Sequence, residues 1–179
     1  MPVHLGFLRA VNVGQRKYPM AELRAALAAA GFEDVETHIQ TGNVRVRTPM
    51  RSPARVAAEL EAVFEADRGF AVPTVVLGPA ELRAVAQDVA ELGAQHQPAF
   101  GHYVSLLKEA PNEEAAAALE AASTPGERIV VRGRAVHLLY DVPYHEAKLS
   151  NAFVERTAGV ATNRNAKVIR ALDDKWGDD

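Results

Sequence analysis

Cysteine is absent from all 179 residues of the chain. That excludes disulfides, thiolate metal sites and cysteine nucleophiles together, and it is compatible with a reducing compartment. No apolar run approaches the roughly 20 residues needed to span a bilayer. Met1-Pro2-Val3-His4 lacks the basic-then-apolar layout of a signal peptide. Neither sign of charge dominates, since 20 Lys+Arg face 23 Asp+Glu for a formal net charge of −3. Several catalytic wordings are missing as well: there is no G-x-S-x-G, no Walker A run and no G-x-G-x-x-G. None of the six histidines forms an H-x-x-x-H pair, and no carboxylate cluster completes a metal site. The expectation is a cytoplasmic globular protein with no metal, no cofactor and no membrane partner.

Hydrophobic residues make up 48% of the chain, enough for a normal core, and the length suits one domain or two small ones. Alanine contributes 33 residues and Arg outnumbers Lys by 15 to 5, so runs such as Ala115 to Ala118 read as compositional bias that also favours helix.

Val3 to Val11 is dense in apolar residues and predicts a buried strand. A polar loop follows at Asn12 to Lys17. Pro19 opens a helix whose Met20, Leu23 and Leu27 recur at three and four residues, and Gly31 ends it. Val35 to Ile39 predicts a short strand, Thr41-Gly42-Asn43 a turn, and Val44 and Val46 alternate with Arg45 and Arg47 as in a further strand. Ser52-Pro53 caps a helix striped by Val56, Leu60, Val63 and Phe64 and stopped by Gly69; Val72 to Leu77 is a β-branched strand. The order β-α-β-β-α-β is that of the ferredoxin-like split motif.

Glu81 to Leu92 predicts a connecting helix, and Gly93 to Gly101, polar and holding Pro98, a loop at a subdomain junction. Tyr103 to Leu107 is then a strand, Asn112 caps a helix, Arg128 to Val131 pairs with Ala135 to Tyr140, and helices start near Ser150 and Thr162. The second half thus repeats β-α-β-β-α, with a helix where a last strand would fall. The chain divides accordingly into a ferredoxin-like subdomain at 1–78, a connecting helix and loop at 79–101, and a second α+β subdomain at 102–179. The fold class is α+β, two ferredoxin-like units with antiparallel sheets and helices packed on them.

The first and second strands of a split motif are parallel, so the loops leaving their C-terminal ends lie at one edge of the sheet. Those loops offer Asn12, Gln40, Thr41 and Asn43 as hydrogen-bonding side chains, Arg16 and Lys17 as cations, and Gly14 and Gly42 as places of close backbone approach. This chemistry suits an anion or a polar ring system, and it equally suits ordinary turns. A second candidate is Thr162-Asn163-Arg164-Asn165 with Lys167, read as a capped helix start whose free N–H groups favour an anion. Arg45, Arg47, Arg51 and Arg55 cluster along one strand and its exit, a possible phosphate-seeking face. Val44 and Val46 occupy the positions where an RNA-recognition sheet needs aromatic rings, so base stacking is not expected there.

Phe7-Leu8-Arg9-Ala10-Val11-Asn12-Val13-Gly14, Pro19-Met20-Ala21-Glu22-Leu23-Arg24, Gly31-Phe32 and Ile39-Gln40-Thr41-Gly42-Asn43-Val44 together resemble the bacterial family of unknown function DUF1697. Lys148-Leu149-Ser150 and Ala161-Thr162-Asn163-Arg164-Asn165 look like its C-terminal signatures. The resemblance implies two ferredoxin-like subdomains and supplies no activity. Ala10 stands where the family usually has Gly, His38 where it has Tyr, and Ala166 where an aromatic commonly follows the Arg-Asn pair.

The leading expectation is a module that binds a phosphate-containing small molecule or RNA at the Asn12–Lys17 and Gln40–Asn43 edge, with Lys148, Arg164 and Lys167 joining if the second half folds over it. The alternatives are an enzyme using Lys148, His38 or His145 as proton carrier, or a structural, oligomer-forming protein.

Overall fold

The computed structural model describes residues 1–179. It contains two four-stranded antiparallel sheets and six α-helices, which divide into two compact units: Met1–Glu81 with Trp176–Asp179, and Leu82–Lys175. No helix is long and apolar enough to cross a membrane.

The first unit contains β1 (Val3–Leu8), α1 (Met20–Ala29), β2 (Glu33–His38), β3 (Asn43–Arg47), α2 (Pro53–Arg68) and β4 (Thr74–Leu77), with sheet order β2-β3-β1-β4. Strand β1 ends three residues before the expected Val11, because Ala10 and Asn12 both take left-handed backbone (φ 56° each) and cannot continue a ladder. The period of the sequence places Leu8, Val44, Val46 and Val76 on one face of the sheet, where Leu23 and Leu27 of α1 and Leu60 and Phe64 of α2 close over them. Ser52 caps α2 by accepting from Arg55 N, and Gly69 ends it in the left-handed conformation (φ 77°) that a Cβ would disfavour.

The second unit holds β5 (Gly101–Leu107), α4 (Glu113–Ala121), β6 (Glu127–Arg132), β7 (Ala135–Tyr140), α5 (Asn151–Ala158) and β8 (Ala161–Asn165), in the order β6-β7-β5-β8. Adding four to each index of the first sheet gives the second, so both halves are βαββαβ units. Its helix-covered face packs Leu107, Val136, Leu138 and Tyr140 against Leu119 and Val154. Asn112 caps α4 by accepting from Ala115 N.

Two expectations are corrected here. The helix expected from Thr162 does not start there: Ala161–Asn165 is the fourth strand β8, paired with β5 from Leu107↔Ala161 to Tyr103↔Asn165, and helix α6 runs Ala166–Trp176. Pairing with an otherwise open strand outweighs the weak strand preference of Asn163 and Asn165. The connecting helix α3 is also longer than expected, spanning Pro79–His96. Pro79 at its first position suits the fixed proline φ. Gly93 is carried inside the helix at a modest cost, about 1 kcal/mol relative to alanine.

Edge strands are closed by side chains in both units. Glu61 on α2 accepts from the N–H of Thr74, the first residue of β4, at 2.7 Å; Glu155 on α5 accepts from Ala161 N, the first residue of β8, at 3.1 Å. Along β6 the N–H groups of Glu127, Ile129 and Val131, which do not face β7, donate to Thr124 Oγ1, Ser123 Oγ and Glu120 Oε1.

Candidate functional site

The loops that leave β1 and β2 meet, as parallel strands require. Asn12 is the fastener. Its Nδ2 donates to Gln40 O at 2.7 Å, across 28 residues of sequence, and to Tyr18 O at 3.0 Å, while its Oδ1 accepts from Tyr18 N at 2.9 Å. A single amide thus uses both donors and its acceptor to tie the two loops and the start of α1 together.

Other polar members of this edge are likewise turned inward. Asn43 is fully buried and donates to His38 O and Thr41 Oγ1, both at 3.0 Å, which closes the turn it ends. Arg16 lies over the Phe70 ring, 4.4 Å from its centroid, and donates to Ala10 O at 2.9 Å and Ala71 O at 2.5 Å. Its charge stays at the edge, but its fork is committed to backbone carbonyls. Gly42 is required where it stands: its φ is +80°, and a Cβ there would lie 2.7 Å from Val11 Cγ2 and 2.8 Å from Leu8 Cβ. Gly14 (φ +57°) faces open space.

What remains turned to water is Lys17, Gln40, Gln15 and Thr41, with two apolar tips, Val13 (63% exposed) and Ile39 (46% exposed). The side chains of Lys17 and Gln40 make no hydrogen bond or ion pair within the protein. Neither Ala10–Tyr18 nor Ile39–Asn43 contains a carboxylate. The edge is therefore a fixed frame with one free cation, Lys17, two free amides, Gln15 and Gln40, and no competing acid.

Lys148, Arg164 and Lys167 lie in the second unit. Arg164 is not at a helix start, contrary to expectation. It sits in β8, buried, and donates to Thr162 Oγ1 at 2.8 Å and Asn163 O at 2.7 Å; burial pushes its guanidinium down to about 10, which still leaves it charged at neutral pH. Lys167 is exposed in the first turn of α6, with its N–H donating to Asn165 Oδ1. The Lys148 side chain is also in water, while its N–H and that of Leu149 donate to the buried Glu127 carboxylate at 2.7 and 2.8 Å.

The arginine face expected on β3 is neutralised. Arg45 is buried, pairs with Asp179 at 2.5 Å and Glu36 at 3.6 Å, and holds the Asp179 carboxyl below its ordinary range; Arg47 pairs with Asp34 at 3.2 Å. Only Arg51 and Arg55 of that cluster remain exposed and unpaired. Of the candidate proton carriers, His145 is 81% exposed, Lys148 is in water, and His38 sets its ring edge-on to Trp176. No group of three potential metal ligands forms anywhere in the chain.

One constellation escapes sequence reasoning. His102 Nε2 and His137 Nδ1 lie 3.0 Å apart and buried in the second sheet. Only the β5–β7 register, which opposes Val104 to His137 and His102 to Leu139, brings these residues together, and no spacing signals it.

A family described as "Protein of unknown function (DUF1697)" matches residues 1–137. Among solved structures, the chain is similar to the conserved bacterial protein SP0830 from Streptococcus pneumoniae, at 22% identity and a TM-score of 0.66, with 98% of each chain covered; that likeness speaks for the fold. No curated protein matches the sequence.

Proposed function

The chain belongs to DUF1697, a family of proteins of unknown function, and we propose that it is a binding module for a phosphate-containing small molecule held at the Asn12–Lys17 and Gln40–Asn43 edge. The observation that carries this is the Asn12 bridge to Gln40, which fixes two loops while leaving Lys17 and Gln40 without partners. A frame already ordered loses little entropy when a ligand arrives, so its few free polar groups act at full strength. Lys17 supplies the charge for phosphate, Arg16 adds to the local positive potential without giving up its carbonyls, and Gln40 and Thr41 supply neutral hydrogen bonds. A small ligand is favoured over RNA because Arg45 and Arg47, which would have extended a track for a polyanion, are paired with carboxylates of the same unit.

A thermal-shift screen of inorganic phosphate, nucleotides and sugar phosphates at low salt tests this. A ligand at 100 times its dissociation constant adds about 2.7 kcal/mol. Lys17→Ala is expected to abolish the shift while leaving the melting temperature of the free protein unchanged, since the exposed side chain makes no hydrogen bond or ion pair. Asn12→Ala is expected to lower the melting temperature itself. A flat screen, or a full shift in Lys17→Ala, overturns the assignment.

A further inference from the structure

At the end of the first sheet opposite the two loops, Ala30, Gly31, Phe32, Thr48, Met50 and Glu59 line a cleft of about 230 Å³. Its chemistry differs from that of the loop edge. Phe32 and Met50 provide an apolar wall continuous with the core, and Met50 is fixed from behind by His4, whose Nε2 donates to its carbonyl at 2.9 Å. Glu59 brings a carboxylate with no ion pair or hydrogen bond in the protein. Ala30 and Gly31 end α1, a helix with no basic residue in its last turn, so the negative end of its dipole is uncompensated. Turn N–H groups occupy the carbonyls of Ala26, Leu27 and Ala28, whereas that of Ala30 accepts nothing. No Lys, Arg or His lines the cleft, and Arg55, one turn before Glu59 on α2, makes no ion pair with it.

We infer that this cleft is a second binding site, separate from the loop edge, for a small organic cation: a primary ammonium or guanidinium on a short apolar body. The carboxylate and the free helix-end carbonyl receive the N–H donors, and the body lies on Phe32 and Met50. An anion is disfavoured by both acceptors, and a neutral apolar molecule leaves the carboxylate unanswered.

Benzylamine, charged at neutral pH, is the probe, with benzyl alcohol as its uncharged counterpart, titrated into the 15N-labelled full chain. The expected result is a saturable change in amide shifts confined to Ala30, Gly31, Phe32 and Thr48, with benzyl alcohol binding more weakly. Glu59→Gln, a surface change, should weaken benzylamine roughly three- to tenfold, the range of a partly solvated charged hydrogen bond. Lys17→Ala should leave it unchanged, which separates this site from the phosphate edge. Absence of a saturable change, equal affinity for the alcohol, or an unaltered affinity in Glu59→Gln overturns the inference.

Discussion

Ala10, Asn12 and Ile39 hold φ at 56°, 56° and 51° within two loops that touch. For a residue with a Cβ the left-handed region costs about 1 kcal/mol or more. Asn12 is compensated by three hydrogen bonds from its own side chain, and asparagine tolerates this region better than most residues. Ala10 has no such compensation: its methyl makes no polar contact and its exposure leaves little packing. Replacing Ala10 by glycine should therefore stabilise the protein by roughly 0.5–1 kcal/mol despite the added freedom of the unfolded chain. That corresponds to a rise of about 1–4 °C in melting temperature for a chain of this size. A calorimetric scan that shows a fall instead would mean the Ala10 methyl is packed more usefully than its exposure indicates.

Among the elements, β6 is the one most in need of protection. It carries Ile129, Val130 and Val131 in sequence, and its open side would present a row of donors to any other strand. Instead Ser123 and Glu120 cover the N–H groups of Ile129 and Val131. The double change Glu120→Ala and Ser123→Ala should leave the fold intact but uncover both donors. We expect a concentration-dependent gain of larger species in light scattering, absent from the unmodified protein; a monodisperse variant at high concentration would show that the edge is protected by something else. Most elements of both units were legible from sequence because each carries its own local signal, such as the Ser52 and Asn112 caps or the three-four stripe of Met20, Leu23 and Leu27. Strand β8 was not, because Thr162-Asn163-Arg164-Asn165 has polar side chains and becomes a strand only through its pairing with β5. The meeting of the two loops was legible from topology alone, whereas the inward use of Arg16 and Asn43 was not. A sequence shows which groups are available, and only the folded distances show which are already engaged.

For the whole molecule, the buried histidine pair makes stability sensitive to acid. Burial pushes His102 down to about 4, aided by Arg170 on α6 and His96 on α3; burial likewise pushes His137 down to about 3, aided by His102 and by Arg132 on β6. Every charged group found to act on the pair is a cation or a titratable histidine, so nothing there would welcome a proton. Both rings are neutral in the folded state through neutral and mildly acidic pH, while in the unfolded chain they take up protons below about 6.5. The unfolded state then binds more protons, and stability falls as pH drops from about 6.5 toward the folded values, with each ring contributing about 1.4 kcal/mol per pH unit. In His102→Gln/His137→Gln the melting temperature should decline less steeply between pH 6 and pH 4.5, whatever its starting value. Parallel curves for variant and parent would place the acid sensitivity elsewhere.

The assignment of Trp176–Asp179 to the first unit has a consequence for the order of assembly. Trp176 Nε1 donates to Glu36 Oε2 across 140 residues of sequence, and Asp179 pairs with Arg45 across 134, so these partners are synthesised long after the strands they meet. During translation the first sheet can zip up from its own hairpins, but Arg45 then has only Glu36, 3.6 Å away, and gains its nearer partner Asp179 after the second unit has been made. The first unit is thus begun before the second unit and completed after it. A fragment cut after Glu81 would preserve every strand of the first sheet and keep Glu36 beside Arg45, yet lack Asp179, the nearer of the two carboxylates that answer its buried arginine.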